Sequence, residues 1–468
     1  MAQSAPPFQG FEHAMGDADA LMWNIERDPQ LRSTIVTLLV LDQAPPWKKV
    51  LERLERGSRL IPRMRQRVVE PALRIGPPAW SADPDFDLKF HARRVRLPKP
   101  RSFDTVLDIA ALAAMADFDR ARPLWEYTMI EGLPDGRAAF VLKVHHSMTD
   151  GVGGMRLLLM LFDLEREPLP GAPDPEPVAL PVFSPLGLLA NSVEWQARRA
   201  GNAAHSAIGI ARAMAQRVRD NPVRALDDMT AAVGSVARFL APATEPCSTL
   251  MADRSLDRRV ASFRFKFDKL KRAATAAGGT VNDAFVAGVL GGLRHYHDRH
   301  DDEVPELRMI MPINFRPEDA ALGGNHFTPA RLLVPLSIAD PVERVQAIGD
   351  RTRALRAEPA IGLSQSVAGI LNRLPRRAAT VLFGSMLKGA DFVTSNVPGA
   401  PFPLYLCGSE VDEMYAFAPL SGAAANVTLL SHCGRGCIGI TTDARAIPDT
   451  KAFTRSIRKG LREILALA

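Results

Sequence analysis

The reactive side chains of this 468-residue chain gather in one short run, Lys143-Val144-His145-His146-Ser147-Met148-Thr149-Asp150-Gly151. A neutral imidazole, with an ordinary pKa near 6.5, can take a proton from a hydroxyl and later return it to a leaving group. Side chains alternate along a strand, so Phe140, Leu142, Val144 and His146 should share one face, with Val141, Lys143 and His145 on the other. The two histidines then point in opposite directions and should not do the same job. His146 ends a row that is otherwise of core type and is the candidate general base. His145 is a supporting residue, acting through hydrogen bonds or by direct contact. Asp150 can brace the strand end or pair with an arginine across the fold, and Gly151 helps to close the turn. The helix beyond it adds a favourable N-terminal dipole. A single buried histidine is more often a packed core residue, and a His-x-x-x-Asp spacing recurs by chance. The complete run, HH, three residues, then DG, is far more specific.

These residues need elements to hold them. Residues 33–41 are β-branched and apolar and read as a buried strand, and 138–146 as a second. Residues 151–165 have helical spacing, so the motif falls at a strand-to-helix turn. Seven prolines between 168 and 185 exclude helix or sheet interior and suggest an extended linker. Residues 186–240 are helix-forming and rich in Ala and Arg. The pattern then restarts. Strict alternation over 263–268 marks a half-buried strand, followed by helices over 268–277 and 280–296. Strands are expected at 308–313, 331–336 and 392–396, with a turn at 397–399. A helix is expected over 341–357, a hairpin from 427–432 and 438–442, and a closing helix over 448–468. The expected class is α/β, with an N-terminal lobe over 1–180, a Pro-rich linker and helical crossover over 181–250, and a C-terminal lobe over 251–468.

Composition narrows the function classes. The formal charge is +6, hydrophobic residues make up 47% and charged residues 24%, ordinary globular values that argue against wholesale disorder. No apolar run approaches the roughly 20 residues of a membrane helix, and the N-terminus has no secretory pattern. The charge is too dilute for a nucleic-acid partner. The 47 arginines outnumber the 11 lysines, which suits an anionic substrate or an anionic membrane surface. Cys247, Cys407, Cys433 and Cys437 form no CxxC pair, and the ten histidines give no further metal spacing, so no metal is expected. So few cysteines suit a reducing cytoplasm.

With the HHxxxDG run in view, the sequence resembles the bacterial wax ester synthase/acyl-CoA:diacylglycerol acyltransferase (WS/DGAT) family. Further blocks support the resemblance: Pro62-Arg63-Met64-Arg65-Gln66-Arg67, the segment from Asp83 to Leu88 with His91, Arg122-Pro123-Leu124-Trp125-Glu126, Thr280-Val281-Asn282-Asp283, and Ser395-Asn396-Val397-Pro398-Gly399. Two departures stand out. Ala400 replaces a further proline, and Met311-Pro312-Ile313-Asn314-Phe315-Arg316 is a loose form of the family's strand end. The resemblance implies two chloramphenicol acetyltransferase-like lobes with the motif in a tunnel between them. It implies transfer of a long-chain acyl group from acyl-CoA, a substrate rather than a cofactor, to diacylglycerol or a long-chain alcohol. His146 would be the general base, with no covalent intermediate. Asn282, with Asp283, would position substrate or oxyanion, or else cap a helix. Pro123, Trp125, Ser395, Asn396 and Gly399 would shape the site. Insoluble products imply peripheral contact with the inner membrane or lipid droplets, and 186–240 either binds that surface or packs between lobes. The alternatives are a condensation-type enzyme with an amine or small-alcohol acceptor, or a non-catalytic lipid-binding protein.

Overall fold

The computed structural model describes residues 13–72, 76–167, 175–176, 178–190, 245–314, 327–358 and 374–468, with isolated positions between 192 and 243 and between 369 and 372. In chain order the main elements are α1 (Asp17–Ile25), β1 (Thr34–Leu41), α2 (Trp47–Leu60), β2 (Gln66–Val69), β3 (Ala79–Ala82), β4 (Ala92–Arg96), α3 (Phe103–Met115), β5 (Trp125–Glu131), β6 (Ala138–His145) and α4 (Gly151–Leu159). There follow β7 (Arg258–Lys266), α5 (Phe267–Ala276), α6 (Val281–Asp298), β8 (Glu306–Asn314), β9 (Phe327–Pro335), α7 (Pro341–Arg356), α8 (Arg376–Leu387), β10 (Phe392–Pro398), β11 (Tyr405–Leu406), β12 (Ser409–Phe417), β13 (Ala425–His432), β14 (Arg435–Asp443) and α9 (Thr450–Leu465).

The described strands form two six-stranded sheets, ordered β11-β12-β1-β6-β5-β4 and β7-β14-β13-β10-β8-β9, plus the β2-β3 pair. β1 explains its own composition. It is central, and both of its faces are buried: Leu39 and Leu41 pack in one cluster, Val36, Leu38 and Val40 in another. A strand buried on both faces reads as a continuous apolar run. Its second edge is filled by β12, which pairs antiparallel from Val36↔Phe417 to Leu41↔Val411. The sheet thus draws on residues from both halves of the chain. The first sheet borrows β11 and β12 from residues 405–417, because β1 would otherwise leave an unpaired edge.

The second sheet carries the larger core, in which α6 is buried on nearly every side and packs beside α9 and α7. Its β9 lies at an edge and carries Pro329 and Pro335, where missing backbone donors cost least. β8 pairs with β10 only at Met309 and Ile310, so the two strands part before Pro312 and open a gap in that wall.

Two expected elements change. The helix after the motif is shorter than 151–165, because Asp163 exchanges two backbone hydrogen bonds with Tyr405 and its carboxylate is gripped by both Arg53 terminal nitrogens. The described part of the proline stretch is docked on β3, where the amides of Ala82 and Phe183 donate to Pro181 O and Ser81 Oγ. Most of the 186–240 crossover lies outside the described residues.

Candidate active site

β6 runs between β1 and β5 and is pinned on both sides at its C-terminal end. The His145 amide donates to Leu124 O at 3.0 Å, and the His146 amide donates to Ser33 O at 2.8 Å. The strand therefore ends at His145 rather than 146, and His146 opens a short 3-10 turn to Met148. The alternation expected from the sequence persists. Leu142, Val144 and His146 face a cavity of about 300 Å³, and Lys143 and His145 do not.

His145 is 1% exposed and lies behind the base. The Ser147 amide donates to its Nδ1 at 3.0 Å, and Ser147 Oγ sits 2.7 Å from the same atom. An amide can only donate, so Nδ1 is the bare nitrogen and Nε2 carries the proton, a tautomer assigned from its partners. That nitrogen lies 2.9 Å from Glu26 Oε1. Glu26 also accepts from the Ser33 amide at 2.7 Å and meets Arg120 at 3.3 Å. Burial pushes the Glu26 carboxyl up, but His145, Ser33 and Arg120 outweigh it and hold it below its ordinary value. Glu26 thus ties α1, the start of β1 and the end of β6 together. No local pattern in the sequence marks it, since its partners lie 7 and 119 residues away.

Asp150, 4% exposed, is the N-cap of α4: its Oδ1 accepts from the Gly153 amide at 2.7 Å. Gly151 lets α4 approach the other sheet, since a Cβ there would stand 3.1 Å from Val397 Cγ2 on β10. Ser395 and Asn396 line the cavity from β10, which continues as strand to Pro398, beyond the expected turn at 397. Gly399 is required by closeness, as a Cβ would lie 2.0 Å from Ser431 O.

Trp125 lines the cavity and is held from behind. Its Nε1 donates to Met64 O at 2.8 Å, and its ring stacks on His91 at 4.4 Å between centroids. Burial lowers the His91 pKa, and its Nδ1 lies 2.7 Å from Trp125 O. Phe86 stacks on His91, with the Arg65 guanidinium over Phe86. Three of the sequence blocks therefore converge on one stacked layer supporting the cavity wall. Pro123 is buried at the same strand start.

The Asn282–Asp283 pair is placed elsewhere. Asp283 forms a capping box with Thr280, which is the N-cap of α6, and Asn282 Nδ2 points to Met311 Sδ at 3.4 Å. On β8 it is Ile310 and Pro312 that line the cavity, whereas Met311 packs on the other face. Asn282 therefore lies behind the second sheet and is not among the residues lining the cavity. The cavity's own polar groups from this sheet include Thr328, Asn426 and Thr428, which stand in runs with no recognisable motif. Most of the remaining lining is aliphatic or aromatic. Among the described residues no three His, Cys, Asp or Glu side chains converge as a metal site.

The chain matches known proteins over nearly its whole length. Residues 15–285 match the wax ester synthase/diacylglycerol acyltransferase catalytic domain, and 323–465 match the WS/DGAT C-terminal domain. The chain belongs to the WS/DGAT family. A Mycobacterium tuberculosis protein named a putative diacylglycerol O-acyltransferase is 37% identical over 454 residues, 97% of this chain and 92% of that relative. A probable diacylglycerol O-acyltransferase of the same species is 26% identical, covering 94% and 93%. In architecture, the chain is similar to the wax ester synthase/diacylglycerol acyltransferase of Marinobacter aquaeolei VT8, with TM-score 0.61, 22% identity and 96% and 98% coverage. The first condensation domain of a calcium-dependent antibiotic synthetase gives TM-score 0.61 at 14% identity, covering 97% and 96%. The WS/DGAT chain described here is thus an acyltransferase, with the two sheet-rich lobes of that fold.

Proposed function

We propose that this protein moves a long-chain acyl group from acyl-CoA to a lipid alcohol, diacylglycerol or a long-chain alcohol, with His146 as general base. The observation that carries the reading is His146 among the residues lining a largely apolar cavity, at a strand end hydrogen-bonded to the chain on both sides. The alcohol oxygen attacks the thioester carbon as its proton passes to the imidazole. The tetrahedral oxyanion then collapses, the C–S bond breaks, and the imidazolium returns the proton to the departing thiolate. A positioned base of this kind contributes about 10²–10⁴-fold. The oxyanion needs donors, and the Ser395 hydroxyl and Asn396 amide on β10 are offered in place of Asn282. Asp150 fixes the turn, and His145 with Glu26 fixes the strand end. No cofactor beyond the acyl-CoA substrate enters this chemistry.

The greasy substrates place the work at the inner membrane or a lipid droplet, from the cytoplasmic side and by peripheral contact. No helix among the described residues is long and apolar enough to cross a membrane. Val178, Val182 and Leu186 are 49%, 65% and 73% exposed beside the crossover and would suit such contact. An amine or small-alcohol acceptor is the second reading, raised by the likeness to condensation domains. An acceptor panel decides. Palmitoyl-CoA with diolein or hexadecanol should release free thiol, and small alcohols and amines should not. Turnover restricted to amines or small alcohols would overturn the lipid-alcohol reading, and tight acyl-lipid binding without turnover would indicate a binding protein.

A further inference from the structure

The first sheet lines the His146 cavity in successive register rows. The row next to His146 is apolar: Ile35, Val144 and Trp125 are paired across β1, β6 and β5, and the Trp125 Nε1 proton is already given to Met64 O. The following row is not. Tyr127 pairs with Leu142, Leu142 with Thr37, and Thr37 with Ala416, and all four line the cavity. Two hydroxyl-bearing residues therefore flank Leu142, their backbones roughly 10 Å apart across the sheet. Leu142 stands four residues before His146 on the same side of β6, roughly 13 Å along the strand.

Tyr127 is 4% exposed, and its ring is held against Trp125 at 5.2 Å and Phe140 at 5.0 Å between centroids. Its hydroxyl has no hydrogen-bond partner among the described residues. It is not sealed within the packing either, so the open space it meets is the cavity. Burial pushes the phenol pKa up, which keeps the group a neutral donor at any working pH. The Thr37 hydroxyl is also without a partner among the described residues. Water can serve such groups while the cavity is wet. A plain hydrocarbon chain lying along this wall displaces that water and offers no bond in return, which is costly for a buried hydroxyl. An oxygen on the chain at this level restores the bond.

We propose that the part of the cavity along the first sheet selects chains carrying a hydroxyl or keto oxygen near mid-length, with Tyr127 as the donor that reads it and Thr37 as its second partner. This rests on the reading that long-chain acyl transfer takes place at His146, which fixes the reacting end and so the distance to the oxygen. The oxygenated chain can belong to the acyl donor or to the alcohol acceptor, and the test has an arm for each.

Turnover is compared as kcat/KM for 12-hydroxystearoyl-CoA against stearoyl-CoA with one acceptor, and for 1,12-octadecanediol against octadecanol with one donor. The hydroxylated chain should be favoured about tenfold in at least one pair. The corresponding 3-hydroxy chain, whose oxygen falls at the apolar row, should gain no such preference. Tyr127→Phe should bring the ratio to near one, and Thr37→Val should lower it. Tyr127→Phe should also melt at or above the wild type, because it removes a buried hydroxyl that has no partner in the protein. No preference in either pair, a preference that survives Tyr127→Phe, or a Tyr127→Phe variant melting well below the wild type would each overturn the proposal. Calorimetric binding of 12-hydroxystearic acid and stearic acid to the full-length protein separates this inference from the reading it rests on. If the hydroxy acid binds more tightly in a Tyr127-dependent way but no acyl-CoA is turned over, the selecting site stands and the acyl-transfer reading fails.

Discussion

At the scale of single residues, the site rests on two adjacent histidines with unlike surroundings. Their opposite orientation was readable from strand alternation. The Glu26 carboxylate behind His145 was not, because pairings at 119 residues' separation leave no local trace. Glu26 is a positioning residue. Glu26→Ala would leave the buried Ser33 N–H without its acceptor, at a cost of about 1–3 kcal/mol, and would remove the carboxylate 2.9 Å from His145 Nε2, so kcat should fall with Tm. Glu26→Gln keeps Oε1 and should recover most of both. Equal losses in the two variants, compared by steady-state kinetics and thermal melting, would show that the acceptor atom is not what matters. The ND block left two readings open, and the Thr280–Asp283 capping box of α6 matches the helix-capping one. Asn282 had the type and helix-start position of a substrate-binding amide, but sequence alone does not reveal which face of the second sheet that helix start covers.

At the scale of elements, α4 and β10 meet across the two sheets at Gly151 and Val397, so small changes there should reach the site. Asp150→Ala removes the cap of α4, worth about 1 kcal/mol, while Asp150→Asn retains the acceptor; chemical denaturation should separate the two variants. Gly399→Ala drives a Cβ toward Ser431 O, and overpacking of this kind costs about 1–3 kcal/mol. Because β10 also carries Ser395 and Asn396, that variant should lose kcat as well as stability, and a fully active, wild-type-stable Gly399→Ala would contradict the packing. Strands with plain signals, such as 33–41 and 427–432, were legible in the sequence. β12 carries a charged, irregular SEVDEMYAF pattern with no clean period, and its place in the first sheet depends on a strand more than 360 residues earlier.

At the scale of the whole molecule, the two sheets line an apolar cavity, and buried ionisable groups tie that architecture to pH. Burial lowers the pKa of His91, His297 and His432 below 6.5. Below that value the unfolded chain takes up protons that the folded chain refuses, so stability falls as pH falls through about 6.5. Glu26, Asp443 and Glu463 are held below ordinary carboxylate values despite burial, so the stability they add above about 4.5 is lost as pH drops further. Tm should be nearly level from pH 7 to 8 and decline in two stages below; a Tm that rises from pH 7 to 5.5 would contradict these environments. The two-lobe α/β class was legible from the restart of pattern after residue 246. The cavity was not, since its lining is drawn from strands and helices of both halves that only folding brings together. The most direct test of the central claim compares free thiol release from palmitoyl-CoA, with diolein or hexadecanol present, by the wild type and by folded His146→Ala. The expected result is acceptor-dependent release by the wild type and a fall of about 10²-fold or more in the variant; undiminished release by His146→Ala would contradict it.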